Sequence, residues 1–312
     1  MMRQYVVRRL VSLLPVIFGV SLITFGLMGL VPGDPAEIIA SHGKEIEPSQ
    51  EQIEAVREEL GLSEPVPLRY VRWLGRVVSG DLGDSLLSGH TVWYELTAHL
   101  PATLALAAGG MAVGLLIALP VGILSAVWRD SVVDQVSRFL ALLGASVPSF
   151  WLGTILVLFF AVRLGWLPSM GRGGLRHFIL PCFALGLRAS AVLMRLTRAN
   201  LLEVLGEDYV RTARAKGLSE RMLVLRHALK PSLLPVLTVL GLQFGHLLGG
   251  AIVIEKVFAW PGLGMLVVDS ILGRDFPVIQ GFALFITLIF VAINFVVDLL
   301  CRWVDPRVQY GT

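Results

Sequence analysis

Charged residues are scarce in this sequence, and cysteine is almost missing. Asp, Glu, Lys and Arg make up 16% of the 312 residues, whereas soluble domains contain about 25%. This scarcity excludes an ordinary soluble domain. The two cysteines, Cys182 and Cys301, fall near opposite membrane faces in the topology derived below, too far apart for a disulfide. Each is therefore expected to be a free, buried thiol.

The signatures of common catalytic sites are missing as well. The chain has no GxxxxGKS or GxxxxGKT loop for ATP phosphates, no HExxH and no GxSxG. Its six histidines show no pair at metal-ligand spacing and no pattern typical of haem ligation. The net charge of +3 comes without a basic stripe for nucleic acid. The sequence therefore predicts a conduit rather than an enzyme, with no catalytic residue, metal site or cofactor of its own.

Long apolar runs are what the chain does have. Hydrophobic residues make up 55% of it, the mean hydropathy is +0.75, and the runs reach about 20 residues, the length that crosses a bilayer core. They predict an all-α integral membrane protein with six transmembrane helices, at about residues 10–31, 101–126, 137–162, 179–197, 233–254 and 278–300. The first run exceeds the apolar core of a signal peptide, about 7–15 residues, so it is predicted to remain as an uncleaved span.

Cations are distributed unequally between the two sides of these spans. The two short loops predicted to lie outside carry Arg163, Arg172, Arg176 and Arg274. The segments predicted to lie inside carry many more: Arg3, Arg8, Arg9, Arg129, Arg138, Arg302, Arg307 and the cations between Arg198 and Lys230. Because positive residues are retained on the cytoplasmic side, both termini are predicted to be cytoplasmic.

The spans are expected to form two parts. Residues 1–99 are predicted as an N-terminal part, with the first span at 10–31 and an external segment at 32–99. Residues 100–312 are predicted as a five-span core that contains a cytoplasmic hairpin at 198–232.

The external segment has local structure of its own. Ser49 and Gln52 have the spacing of a capping box, at the start of a short helix that Gly61 would end. A second helix is predicted over residues 68–78 and a turn over residues 80–85. The segment is too small for a separate domain, so it is expected to pack over the outer mouth of the helices.

The only long basic stretch between apolar runs is Glu203–Pro235. Seven cations lie from just before this stretch to within it, between Arg198 and Lys230: Arg198, Arg211, Arg214, Lys216, Arg221, Arg226 and Lys230. Apolar residues recur at helical spacing on both sides of Gly217, which can adopt the left-handed conformation and turn the chain. The pattern predicts a helix–Gly–helix hairpin in the cytoplasm, although an ordinary solvated loop would carry the same charge.

Polar groups within spans usually face a bundle interior or a cavity. Arg188 lies about midway along the fourth span, and Gln243 and His246 lie close together on the fifth. These three are candidates for a translocation pathway, the alternative being hydrogen bonds to neighbouring helices. Pro120 and Pro148 interrupt the second and third spans, where the freed backbone groups need protein or water as partners.

Three glycines of the fifth span, Gly241, Gly245 and Gly249, recur at a spacing of four. Such a stripe allows two helix backbones to approach closely. The contact is expected either within this chain or with a second, similar subunit.

Short motifs follow one another along nearly the whole chain. They are VPGDPA at 31–36, GLSEPVPLRYVRWL at 61–74, GDLGDSL at 80–86, LPATLALA at 100–107, SVPSFWLG at 146–153, GWLPSMG at 165–171, ILPCFALG at 179–186, EDYVRTARAKGLS at 207–219, LP at 234–235, GGAIVIEKVFAWPGLG at 249–264, RDFPVIQG at 274–281 and DPR at 305–307. In this order and spacing they resemble the permease subunits of ATP-binding-cassette (ABC) importers. The resemblance is to the first, B-type, permease of dipeptide, oligopeptide and nickel systems.

The resemblance implies a type I ABC importer permease fold in a bacterial or archaeal cytoplasmic membrane. The chain would form half of a heterodimeric pathway with a second homologous permease. An extracytoplasmic solute-binding protein would deliver substrate near residues 32–99 and 257–277. Two cytoplasmic ABC ATPases, which would hold the ATP and Mg, would dock on the hairpin at 207–225. The coupling residues implied are Glu207, Asp208, Tyr209, Arg211, Thr212, Ala213, Arg214, Ala215, Lys216, Gly217 and Leu218.

The sequence departs from the family pattern at a few positions. Arg211, Thr212 and Ala213 stand where the general importer consensus has Glu-Ala-Ala, so a role that needs the glutamate is not carried over. Pro231 replaces the asparagine usual in this branch, and His246 occupies a position associated with small or apolar residues.

An ion-driven secondary transporter is the alternative class, and Arg188 and His246 would be compatible with it. Against it, no repeat relates the two halves, and the basic hairpin suits a docked partner. A membrane enzyme or assembly factor, a third class, lacks a catalytic cluster. The substrate stays open among dipeptides, oligopeptides, glutathione-like peptides, nickel and nickel chelates.

Overall fold

The computed structural model describes residues 15–26, 34, 36–37, 40, 49–59 and 63–304. Within these residues the regular structure is helical, apart from an isolated antiparallel bridge between Asp84 and Thr91. The helices are α1 Pro15–Gly26, α2 Gln50–Glu59, α3 Val66–Val78, α4 Val92–Val127, α5 Val132–Ser146, α6 Ser149–Arg163, α7 Arg176–Leu205, α8 Asp208–Ala215, α9 Glu220–Val257, α10 Leu263–Leu272 and α11 Phe276–Val304.

The chain divides into two compact units. One comprises Met1–Pro101 and Leu266–Val291, and the other comprises Ala102–Met265 and Ala292–Thr312. The helices α4, α10 and α11 each contribute residues to both units.

In the first unit, the capping box predicted at Ser49 is confirmed. The Ser49 N–H donates to Gln52 Oε1 at 3.1 Å, and the Gln52 N–H donates to Ser49 Oγ at 3.3 Å. The reciprocal bonds satisfy two N–H groups at the start of α2 that have no partner within the helix. The second predicted helix is confirmed as α3, and its Tyr70 packs on α1 through Phe25, with ring centroids 5.4 Å apart.

The predicted turn at residues 80–85 is also confirmed, since Gly80 and Gly83 have φ values of 88° and 83°. Only glycine adopts these values at no steric cost. Beyond the turn, Ser85 Oγ donates to Asp275 Oδ2 at 2.5 Å, and Asp275 is 1% exposed. The Val278 N–H at the start of α11 also donates to Asp275, at 3.4 Å. One buried carboxylate thus joins this loop to α11.

Within the described residues, four helices are long and apolar enough to cross a membrane: α4, α7, α9 and α11. A fifth span is formed if α5 and α6 are counted together. Of the first span predicted at residues 10–31, residues 15–26 form α1, which by itself is a shorter apolar helix, and residues 10–14 and 27–31 lie outside the described part of the chain. The described helices therefore account for four of the six predicted spans, and for a fifth if α5 and α6 together form one span.

The predicted third span, residues 137–162, is not one helix. The helices α5 and α6 meet at an angle of 100° at Pro148, where Val147 is extended with ψ of 126°. Proline disfavours the helical conformation of the residue before it, which explains the break. Pro120 behaves differently, because α4 continues through it without interruption.

In the second unit, α4 and α7 approach closely through small residues. A Cβ atom added to Gly114 would lie 3.2 Å from the Gly186 carbonyl oxygen, and one on Gly122 would lie 2.9 Å from that of Met194. Cys182 is buried at this contact as a free thiol, as predicted, with Sγ 3.9 Å from the Leu106 carbonyl oxygen. The side chain of Cys301 lies outside the described residues.

Candidate functional site: a basic hairpin and a polar cavity

The basic stretch forms a hairpin in which α8 ends at Ala215 and α9 begins at Glu220. Gly217 between them has φ of +83°, in the left-handed region that the sequence predicted for it. Its N–H donates to the Arg214 carbonyl oxygen at 3.0 Å, which closes the last turn of α8. The helix–Gly–helix geometry is therefore present as expected.

Part of the charge of the hairpin is paired within it. Arg214 donates from Nε to Glu220 Oε1 at 2.5 Å and from Nη2 to Glu220 Oε2 at 3.1 Å. This hydrogen bond raises the pKa of the Arg214 guanidinium above its ordinary value. Arg211 makes a looser contact with Asp208 at 3.5 Å, and its side chain is 70% exposed. The Arg211 charge is consequently available to a partner.

The outer surface of the hairpin combines apolar and basic side chains. Tyr209, Met222 and Leu225 are 48%, 45% and 53% exposed. Most of the predicted coupling residues are also exposed, namely Glu207, Asp208, Arg211, Thr212, Arg214, Ala215, Lys216 and Gly217, whereas Ala213 and Leu218 are half-buried. Exposed apolar groups beside cations are typical of a surface that seats a helix against an acidic groove.

The inner face of the hairpin is anchored to the spans. Val210 and Leu223 are fully buried. A core cluster joins Ala126 at the end of α4, Leu201 near the end of α7, and Val224 and Ala228 in the first turns of α9. A displacement of the hairpin would therefore be transmitted to these spans through packed side chains.

Arg198 proves to be a structural residue rather than one of the free cations of the hairpin. Its Nε and Nη2 donate to the two carboxylate oxygens of Asp134, each at 2.7 Å. Asp134 is fully buried and also accepts from Ser125 Oγ at 2.6 Å, so α4, α5 and α7 are joined at one point. Sequence reasoning missed Asp134, because an acidic residue in the first turn of a helix is common at the surface.

A second buried carboxylate, Glu255, was missed too. It accepts from Thr103 Oγ1 at 2.7 Å and from the N–H groups of Gly264 and Met265 at 2.7 and 3.1 Å. Since α10 begins at Leu263, Glu255 caps the first turn of that helix. The signal available in the sequence was an acidic residue directly after an apolar run, followed after five residues by PGLG at 261–264.

The three polar residues predicted for a pathway line one cavity. Its volume is about 510 Å³, and it lies between α7, α9 and the start of α6. The lining residues are Ser149, Leu185, Arg188, Ala189, Val192, Gln243, Gly245, His246, Leu247, Gly249 and Gly250. The α7 residues recur at spacings of three and four, and so do most of the α9 residues, so each helix presents one face. The structure brings Arg188, Gln243 and His246 together, and their role in transport stays a prediction.

The glycine stripe of α9 separates into two environments. A Cβ atom added to Gly241 would clash with Val297 of α11, so this glycine serves packing within the chain. At Gly249 an added Cβ would meet no atom of the described residues within 4 Å, and Gly245 and Gly249 both line the cavity. The prediction of close packing thus holds at Gly241, whereas Gly249 leaves open space.

Within the described residues, no group of three His, Cys, Asp or Glu side chains could hold a metal ion.

The sequence matches two models of known protein families. The model for the inner membrane component of binding-protein-dependent transport systems matches residues 118–310, and the model for the N-terminal region of such membrane components matches residues 1–107. Together they cover most of the chain.

Named relatives are similar over the whole length. The glutathione transport system permease protein GsiC of Escherichia coli O6:H1 is 45% identical over 309 residues, which are 99% of this chain and 100% of that protein. GsiC of Pectobacterium atrosepticum is 44% identical with the same coverage. A chain of the inward-facing MetNI methionine ABC transporter shares the fold, with a TM-score of 0.59 and 22% identity over 68% of this chain and 97% of that chain.

Proposed function

The chain belongs to the family of binding-protein-dependent transport system inner membrane components, and from this premise we propose that it forms half of a heterodimeric import pathway for peptide-like substrates. As a member it is a non-catalytic, multi-pass inner membrane subunit of an ABC transporter. The proposal adds the second homologous permease, the kind of substrate and the route of coupling.

The observation that carries the proposal is the continuity of α9. This helix begins in the exposed hairpin at Glu220 and runs to Val257, and its middle presents Gln243 and His246 to the cavity. A push on the hairpin would therefore move one wall of the cavity. In ABC importers of this design, ATP-driven closure of two ATPases supplies such a push, and the spans rock between inward- and outward-facing states.

The ATPases are proposed to dock on residues 207–225 and to hold ATP and Mg themselves. The exposed Arg211 and Lys216 would face ATPase carboxylates, while Tyr209 and Met222 would seat in an apolar groove. A solute-binding protein would deliver substrate from outside. Six spans, a type I permease fold and two cytoplasmic termini complete the proposed topology.

For the substrate, peptides are favoured over nickel. Relatives with 44–45% identity are named as glutathione permeases, and glutathione is a tripeptide. The described residues also lack a cluster that could hold a metal ion. We therefore propose a short peptide, of which glutathione is the first to test.

The test is charge reversal in the hairpin. Arg211→Glu combined with Arg214→Glu should abolish ATP-dependent uptake of labelled glutathione by proteoliposomes that contain the complete transporter. Arg129→Glu, on an exposed arginine of another predicted inner loop, is the control and should transport normally. Unchanged uptake in the hairpin variant would contradict the coupling role, and uptake without ATP would favour the ion-driven alternative.

A further inference from the structure

Arg188 is a charged side chain about midway along an apolar span, and the structure gives it no counter-ion. Among the described residues it forms no hydrogen bond and no ion pair, and no Asp or Glu side chain lines the cavity beside it. A charge in this position costs several kcal/mol unless it is hydrated or paired, and such residues mark functional pathways. An anionic group that enters the cavity would supply the missing charge.

The other polar groups of the lining can donate hydrogen bonds to the same anion. Ser149, Gln243 and His246 are also without a hydrogen-bond partner among the described residues. The hydroxyl, the amide NH₂ and a ring N–H are donors, and the arginine adds a planar fork of donors that matches a carboxylate.

We infer that this cavity binds a carboxylate group of the peptide in transit, with Arg188 as the counter-ion and Gln243, His246 and Ser149 as further donors. The inference rests on the proposed function, since it names the chemistry by which that pathway recognises its substrate. It predicts that anionic peptides are preferred over peptides whose carboxylates are blocked.

The size and walls of the cavity fit such a ligand. A volume of about 510 Å³ lies within the 300–1,000 Å³ that is typical of small-molecule sites. Gly245, Gly249 and Gly250 form part of the α9 wall, and an added Cβ at Gly249 would project into open space. A larger side chain at position 249 should therefore reduce the room for any peptide.

The test is equilibrium binding to the transporter in nanodiscs, purified with its membrane partners and without the solute-binding protein, so that only the membrane site is probed. The probes are glutathione and its diamide, in which neutral amides of similar size replace both carboxylates. Arg188→Gln should weaken glutathione binding by about ten- to hundredfold, the range for hydrogen bonds to a charged group, and leave diamide binding unchanged. Gly249→Leu should weaken the binding of both probes.

Two further variants control the comparison. Arg176→Gln removes an exposed arginine from the first turn of the same helix, outside the cavity, and should bind glutathione like the unmodified protein. Arg188→Lys keeps the charge but loses the planar fork of donors. Its glutathione affinity should therefore lie between those of the unmodified protein and Arg188→Gln. Because the charge is kept, this variant should still fold even if Arg188→Gln does not.

Three results would overturn the inference. The first is the absence of glutathione binding to the unmodified transporter. The second is an equal loss of affinity for glutathione and for its diamide in Arg188→Gln. The third is dissociation of the second permease from the Arg188→Gln and Arg188→Lys complexes. The last result would make Arg188 a counter-ion at a subunit interface. An uptake measurement distinguishes failure of this inference from failure of the proposed function. A transporter that imports glutathione with ATP and the solute-binding protein, but fails these binding tests, would contradict the carboxylate site and leave the proposed function intact.

Discussion

Asp134 is fully buried at the start of α5, where it accepts two hydrogen bonds from Arg198 and one from Ser125. A buried ion pair adds little net stability, since the desolvation of both charges offsets their attraction. Removing one partner is different, because the other then loses its counter-ion while it has little or no access to water: the Asp134 side chain is fully buried, and that of Arg198 is 18% exposed. Removal of the Asp134 side chain is therefore expected to destabilise the protein by more than the intact ion pair stabilises it.

Asp134→Ala should lower the free energy of unfolding by about 3–5 kcal/mol, because Arg198 loses its counter-ion. Thermal unfolding of the purified protein in detergent measures the change. Glu203→Ala, which removes an exposed carboxylate near the end of α7, is the control and should unfold like the unmodified protein.

The double variant Asp134→Leu, Arg198→Met provides the sharper test of the same argument. It removes both charges and keeps apolar volume, so it should be more stable than Asp134→Ala. If the double variant is the less stable of the two, the unpaired charge is not the cause of the loss.

For the individual helices and turns, local sequence signals predicted the structure correctly where one residue type determines the backbone conformation. Ser49 and Gln52 predicted the start of α2, and Gly217 predicted the turn of the hairpin. Proline was not sufficient, because Pro120 lies within a continuous helix whereas Pro148 marks a bend of 100°. Whether a freed carbonyl is satisfied depends on neighbouring helices, and a local pattern does not contain them.

The turn of the hairpin makes a prediction of its own. Gly217→Val should reduce glutathione uptake per ATP hydrolysed, because a side chain in the left-handed conformation costs about 1–2 kcal/mol and would distort the angle between α8 and α9. Gly217→Asn should retain more of the coupling, since asparagine tolerates this conformation. The measurement is the ratio of uptake to ATP hydrolysis in proteoliposomes.

A matched control is Gly174→Val, at a glycine outside the left-handed region with open space around it in the described residues. Its ratio should be unchanged. If Gly217→Val and Gly217→Asn couple equally well, the angle of the hairpin does not set the coupling.

At the scale of the whole molecule, the sequence predicted the helical membrane class and the residues of the cavity better than it predicted the buried contacts. Arg188, Gln243 and His246 were found because polar residues stand out in apolar spans. The bonds between Thr103 and Glu255 and between Asp134 and Arg198 join residues 152 and 64 positions apart. Helical periodicity reports which face of a helix is apolar, but it does not report which distant segment meets that face.

The last prediction concerns assembly of the whole transporter. Purification of the tagged chain from native membranes in mild detergent should recover a second homologous permease and two ATPases, identified by mass spectrometry. Scrambling residues 207–219 should remove the ATPases and leave the second permease bound, because the exposed face of the hairpin contacts the ATPases while the spans contact the permease. The amount of the chain in the membrane should stay constant, because the scrambled sequence can keep Val210, the one buried side chain of the described α8, at its position. Recovery of the ATPases with the scrambled hairpin would show that they bind elsewhere, and a chain that purifies alone and transports without ATP would support the ion-driven class.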